Sequence, residues 1–157
     1  MEHDRSRVAA ATVNVEFDLG GMFARTRGGA LTGHVIVKIG NLSFPDSKWI
    51  DFFDIVGWWA DTIQTSGTGI LRFMDGPYEM QIDSADRDSD VATLTLTQRK
   101  LSGAFVTRSV QISRKQFRSA LADACARLSR TLRMDGYADE TKKFEQIALQ
   151  LGAYAAR

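Results

Sequence analysis

The 157-residue chain holds one cysteine, two histidines and no long apolar run. Cys125 alone cannot close an internal disulfide, which fits a reducing compartment. His3 falls in residues 1–7, expected to be a frayed tail, and His34 opens a predicted strand. With Cys125 they are too dispersed to make a zinc site by spacing, and none has an evident partner for nucleophilic chemistry. The N-terminal residues carry no apolar stretch of signal-peptide length, and nothing approaches the ~20 residues of a membrane span. The expectation is a cytoplasmic protein that does not engage a membrane. Neither phosphate-loop nor dinucleotide glycine pattern occurs. The glycines of "DLGGMFARTRGGALTG" (18–33) resemble a phosphate cradle only superficially. Arg25 and Arg27 there could meet an anion, but the segment reads as a flexible loop. Carboxylates are abundant, yet no pair stands out for acid–base work. A non-catalytic protein without cofactor or metal is therefore expected.

What is present is an ordinary globular composition, 44% hydrophobic and 25% charged. The length suggests one domain covering 1–157, large enough to bury roughly two-thirds of its unfolded surface. Net charge is only +1, but its layout is uneven. Residues 41–96 hold ten acids and three bases, net −7, and residues 97–134 hold nine bases and one acid, net +8. Such asymmetry either marks partner binding or lets the two halves neutralise one another.

Periodicity predicts the order ββαββββαα. "VAAATVNVEF" (8–17) alternates from Val13 to Phe17, and "GHVIVKIGNLSF" (33–44) puts Val35, Val37 and Ile39 on one face. Pro45 ends that strand, and Asp46 or Ser47 can cap a helix running to about Ile63 or Gln64. Four strands follow: "GILRFM", "YEMQID" across a "DGP" turn, "VATLTLTQ" and "AFVTRSVQI". Ser113 can cap a helix to about Met134, with Phe117, Leu121, Ala124, Leu128 and Leu132 at 3–4 spacing. A last helix spans about Ala138 to Tyr154. The class expected is α+β, an antiparallel sheet of about five to six strands packed against helices.

The segment "WIDFFDIVGWWADTI" (49–63) is the densest in aromatics. Taken as helix over 47–64, it places Trp49, Phe52, Phe53, Val56, Trp59 and Ile63 on one core stripe. Burial of Trp59 or Phe52 contributes roughly 1.5–3 kcal/mol each. Asp51, Asp54 and Asp61 then share the opposite face with Trp58. An indole ringed by carboxylates suits a partner-binding anchor, and packing under a neighbouring element is the competing reading. Gly57 either permits a close backbone approach or marks a break. The loop "DSADRDSD" (83–90) spaces Asp86, Asp88 and Asp90 as calcium ligands do, but Val91 and Thr97 stand where an EF-hand needs Gly and Glu. It reads as a solvated loop whose Asp86 and Asp88 add a second acidic contact. The bases of 97–134 (Arg99, Lys100, Arg108, Arg114, Lys115, Arg118, Arg127, Arg130 and Arg133) lack the aromatic interleaving of a nucleic-acid surface. A nucleic-acid partner is not expected, and these bases have no assigned role.

Two stretches together, "FPDSKWIDFFDIVGWWADTI" (44–63) and "LRFMDGPYEMQI" (71–82), resemble small bacterial immunity proteins of contact-dependent inhibition and other polymorphic toxin systems. The resemblance covers about 40 of the 157 residues. It implies a protein that binds a cognate toxin domain, a basic nuclease in many such systems, and occludes its active or substrate-binding surface. An acidic face suits a basic partner. Within that reading Trp58, Asp51, Asp54, Asp61, Asp86 and Asp88 are the contact residues. The alternative is a small-ligand-binding or regulatory domain with a pocket between sheet and helices, lined by Trp49, Trp59 and Tyr78.

Overall fold

A computed structural model of the chain describes residues 11–17, 24–25, 31–45, 49–74, 76–84 and 89–152. Among them lie β1 (Val13–Phe17), β2 (Ala24–Arg25), β3 (Leu31–Gly33), β4 (Val35–Ile39), β5 (Leu42–Phe44), β6 (Asp51–Phe52) and α1 (Ile55–Thr65). They are followed by β7 (Gly69–Leu71), β8 (Tyr78–Asp83), β9 (Val91–Arg99), β10 (Phe105–Ser113), α2 (Arg114–Met134) and α3 (Ala138–Gly152). The class is α+β. Its strands are shared among three antiparallel sheets, ordered β1-β4-β5, β10-β9-β8-β7 and β2-β3-β6, rather than gathered in one.

Alternation accounts for the first two sheets. Val13, Val15 and Phe17 of β1 and Val35, Val37 and Ile39 of β4 turn inward, paired through Val15↔Val37. The stretch 33–44, expected as one strand, folds back at Gly40, whose φ of 58° suits a residue without Cβ, and returns as β5. In the four-stranded meander Leu71, Met80, Ile82, Ala92, Leu94, Leu96 and Ile112 form the buried face. Thr93, Thr95 and Thr97 lie on the other face, opposite Gln111, Ser109 and Thr107. A single parallel bridge, Ala11 to Ile112, joins the edge of β10 to the approach of β1.

The largest departure concerns 49–54. These residues are not the first turns of the helix. Asp51 and Phe52 pair with Gly33 and Thr32 of β3, and Phe53 N–H donates to Leu31 C=O at 3.0 Å. Inter-strand pairing here outweighs local helical periodicity, as tertiary contacts commonly do. The helix starts after Asp54, eight and seven residues later than the proposed caps Asp46 and Ser47, which lie outside the described residues.

Ser113 caps α2 as expected, its hydroxyl accepting from Gln116 N–H at 3.1 Å. Phe117, Leu121, Ala124, Leu128 and Leu132 are buried, as are Phe144, Ile147 and Leu151 of α3. Tyr154 and residues 1–7 lie outside the described residues. Phe17 meets Phe53 and Phe144 edge-on, with centroids 5.1 and 6.3 Å away, so one core joins β1, the approach to α1, and α3. No described helix is long and apolar enough to cross a membrane.

Candidate functional site

Helix α1 is short and two-faced. Ile55, Val56, Trp59 and Ala60 are buried, and Ile63 packs beside them. Gly57 causes no break. A Cβ there would sit 3.5 Å from Ile147 Cδ1, so α3 approaches closely at this point. Asp54, Trp58, Asp61 and Thr65 recur at i, i+4, i+7 and i+11, which places them on one solvent-side stripe. Trp58 is 40% exposed, whereas adjacent Trp59 is fully buried and donates its indole N–H to Arg72 C=O at 2.6 Å. Asp61 is exposed. Asp54 is not a free charge, because Lys143 of α3 forms a salt bridge with its carboxylate. Half-exposed pairs of this kind stabilise little and are readily exchanged for another partner.

Asp51 is a correction. It is 5% exposed and lies off the helix. Its carboxylate accepts from Trp49 Nε1–H at 3.0 Å, from Phe52 N–H at 2.8 Å and from Met74 N–H at 3.1 Å. That is an internal clamp between the approach to α1 and the strand after it, and it leaves no carboxylate for a partner. Asp86 and Asp88 lie outside the described residues. Of the six residues predicted to contact a partner, three, Trp58, Asp54 and Asp61, are thus brought onto one face.

Trp49, Trp59 and Tyr78, which would line the alternative ligand pocket, are instead packed in a ring cluster. Trp49 meets Tyr78 at 5.2 Å, Phe44 meets Tyr78 at 5.4 Å, and Trp59 meets Phe73 at 5.4 Å. Gly76, at φ 94°, closes this cluster, since a Cβ there would lie 2.1 Å from the Trp49 ring. The "FMDGPY" turn therefore needs its glycine for both conformation and space. Recesses lie elsewhere: beside Asn14, Glu16 and Arg127, at the β9–β10 hairpin, and between α2 and α3.

The basic segment divides in two. Arg118 donates to Leu151 C=O at 3.0 Å and so ties down the end of α3, and Arg127 donates to Val15 C=O at 3.1 Å. Arg133 pairs with Glu145, and the Arg114 guanidinium lies where a Cβ on Gly67 would be. Arg118 and Arg127 thus link elements of the fold, whereas the exposed Arg133–Glu145 pair stabilises little. The others stay exposed, Arg99, Lys100 and Arg108 on the β9–β10 hairpin and Lys115 and Arg130 on α2.

Sequence reasoning missed Asp90. Its carboxylate accepts from the Ser113 hydroxyl at 2.5 Å and from Lys115 N–H at 2.9 Å, securing the start of α2. The Ser113 hydroxyl and that N–H hold the Asp90 carboxyl below the ordinary carboxylate range. The signal available was Ser113 with Gln116 three residues on, the sequence pattern of a capping box. The Gln116 side chain instead accepts from Val13 N–H at 3.2 Å, and Asp90 supplies the second capping acceptor from outside the helix. Burial pushes the Cys125 thiol up to about 12, which makes it unreactive core. Among the described residues no group of three or more His, Cys, Asp or Glu could hold a metal ion.

Comparison with family models, with curated proteins and with solved structures found no match to this chain.

Proposed function

We propose that the protein is a non-catalytic protein-binding module, an immunity protein that occludes a cognate toxin domain through the outer face of α1. One observation carries the reading. Trp58 stands 40% exposed in the same stripe as Asp54 and Asp61, although the core beside it accommodates Trp59 in full. A half-exposed indole with a carboxylate rim has the make-up of a binding hot spot, and its acids suit a basic partner. The residues that carry the resemblance to immunity proteins support this face from behind. Phe44, Trp49, Phe73, Gly76 and Tyr78 meet in the ring cluster, and Asp51 clamps it to the approach of α1.

The test is affinity for a copurifying partner or for the toxin domain encoded beside this protein. Trp58→Ala and Asp54→Lys should each weaken binding by tenfold or more, about 1.4 kcal/mol or above, while thermal stability hardly changes. Unchanged affinity in both variants rules out this surface.

A further inference from the structure

We infer that the free edge of β10 is a second protein-interaction site, one that takes an extended acidic segment of another protein by strand addition. β10 ends the four-stranded sheet, and Phe105–Ser109 are exposed without a break. Their backbone polarity follows from one bond. Ala11 N–H donates to Gln111 C=O at 3.0 Å, so the polar groups of Gln111 point away from β9. Direction alternates along a strand, hence the N–H and C=O groups of Phe105, Thr107 and Ser109 also point outward. Among the described residues nothing pairs with them. The Ala11 bridge shows that at its far end this edge already takes a backbone hydrogen bond from another segment.

Side chains define what the edge would take. Val106, Arg108 and Val110 share the inner face of the sheet, opposite Gln98, Leu96 and Leu94. Leu94 and Leu96 are buried, but the covering elements stop short of this end of β10. Val106 stays 41% exposed, and Arg108 is exposed. Residues 97–113 contain Arg99, Lys100 and Arg108 and no acid. The acids of β8, Glu79 and Asp83, lie on the opposite face by register. An added strand would therefore place a side chain against Arg108 and its i±2 neighbours against Val106 and Val110. The complementary segment is apolar–x–acid–x–apolar, a pattern that reads the same in either strand direction.

Arg108 also selects against a second copy of this chain. An antiparallel β10–β10 pair using all of 105–109 sets Arg108 diagonal to its counterpart. A two-residue slip toward Ser113 sets the two guanidinium groups face to face, where like charges repel. A charge on the inner face of an edge strand is a known guard against self-association, and an acidic guest strand would neutralise it.

The experiment uses the full chain and capped nine-residue peptides with Val-Thr-Asp-Thr-Val or Val-Thr-Lys-Thr-Val at the centre, followed by amide NMR and hydrogen exchange. The Asp peptide should protect the amides of 105, 107 and 109 and bind roughly threefold to tenfold better than the Lys peptide. Arg108→Glu should reverse that preference. Thr107→Pro removes an outward N–H without touching the β9 ladder, so it should cost at least tenfold in affinity with the fold retained. No shift with millimolar peptide overturns the proposal, as does equal binding of both peptides or full binding by the Thr107→Pro protein. Protection that rises with protein concentration alone assigns the edge to a second copy. Protection lost on deleting residues 1–10 assigns it to the chain's own N-terminal residues. Either result also overturns the proposal.

Discussion

Residues 49–53 and 54–65 adjoin and use the same alphabet of Trp, Phe or Ile, and Asp, yet the two segments treat those residues in opposite ways. The first pairs with β3 through Asp51 and Phe52, and its acid, Asp51, is buried with three N–H groups on it. The second is helical from its cap at Asp54, and the acid within the helix, Asp61, stays in water beside a half-exposed Trp58. The difference lies in the backbone period. A period of two sends neighbouring side chains to opposite faces, whereas 3.6 groups every third and fourth. Residue type therefore does not settle whether an Asp or a Trp here supports the fold or meets a partner; the conformation of the stretch that carries it does.

That contrast can be broken at its strongest point first. Trp59→Ala should lose roughly 3–5 kcal/mol in urea denaturation, because it empties a fully buried site and strands the Arg72 carbonyl. Trp58→Ala, one residue away, should change stability by less than about 1 kcal/mol. Comparable losses for the two would mean that Trp58 is core. Asp51→Ala should cost roughly 2–4 kcal/mol, since it leaves several donors near the interior without their acceptor, against about 0.5 kcal/mol or less for Asp61→Asn.

Asp90 sharpens the comparison from outside the segment, as an exposed acid that is nonetheless structural. Solvent screens it, so Asp90→Ala should cost only about 1 kcal/mol. Its carboxyl is held below the ordinary value of 3.8 in the folded chain. Stability from such a group is complete above the unfolded pKa and disappears as pH falls through the folded one. The gap between the parent and Asp90→Ala should therefore be flat from neutral pH to about pH 5 and shrink below about pH 4. A gap that widens on acidification would contradict the assigned hydrogen bonds. The smallest effect is expected at Cys125, which should resist thiol reagents in the folded chain at pH 8 and react only after unfolding.

Much of the fold could be read from pattern. Val13 to Phe17, Val35 to Ile39, Leu94 with Leu96, and the Phe117–Leu132 stripe all obey their local period because each has one buried face. The approach to α1 could not be read this way. Its apolar residues fit a helical wheel, and only β3, a three-residue strand inside a stretch expected as loop and strand start, draws Asp51 and Phe52 into a ladder. The candidate site was half legible for the same reason. Trp58, Asp54 and Asp61 are far enough into the stretch for the helical period to hold, and Asp51 is not. The uneven charge was visible, but not its division into bases that donate to carbonyls and bases left exposed, because an Arg side chain reaches partners distant in sequence.

By itself the sequence determined the α+β class, the two long helices, the faces of the principal strands and the distinction between Trp58 and Trp59. These are local matters, set by side-chain period, turn residues and caps. Tertiary structure alone decided that the strands divide among three sheets, that Asp51 is a clamp, that Asp90 secures α2 and that, among the described residues, no strand pairs with the outer side of Phe105–Ser109. Each depends on a hydrogen bond made, or left unmade, between residues remote along the chain, and local periodicity carries no information about such pairings.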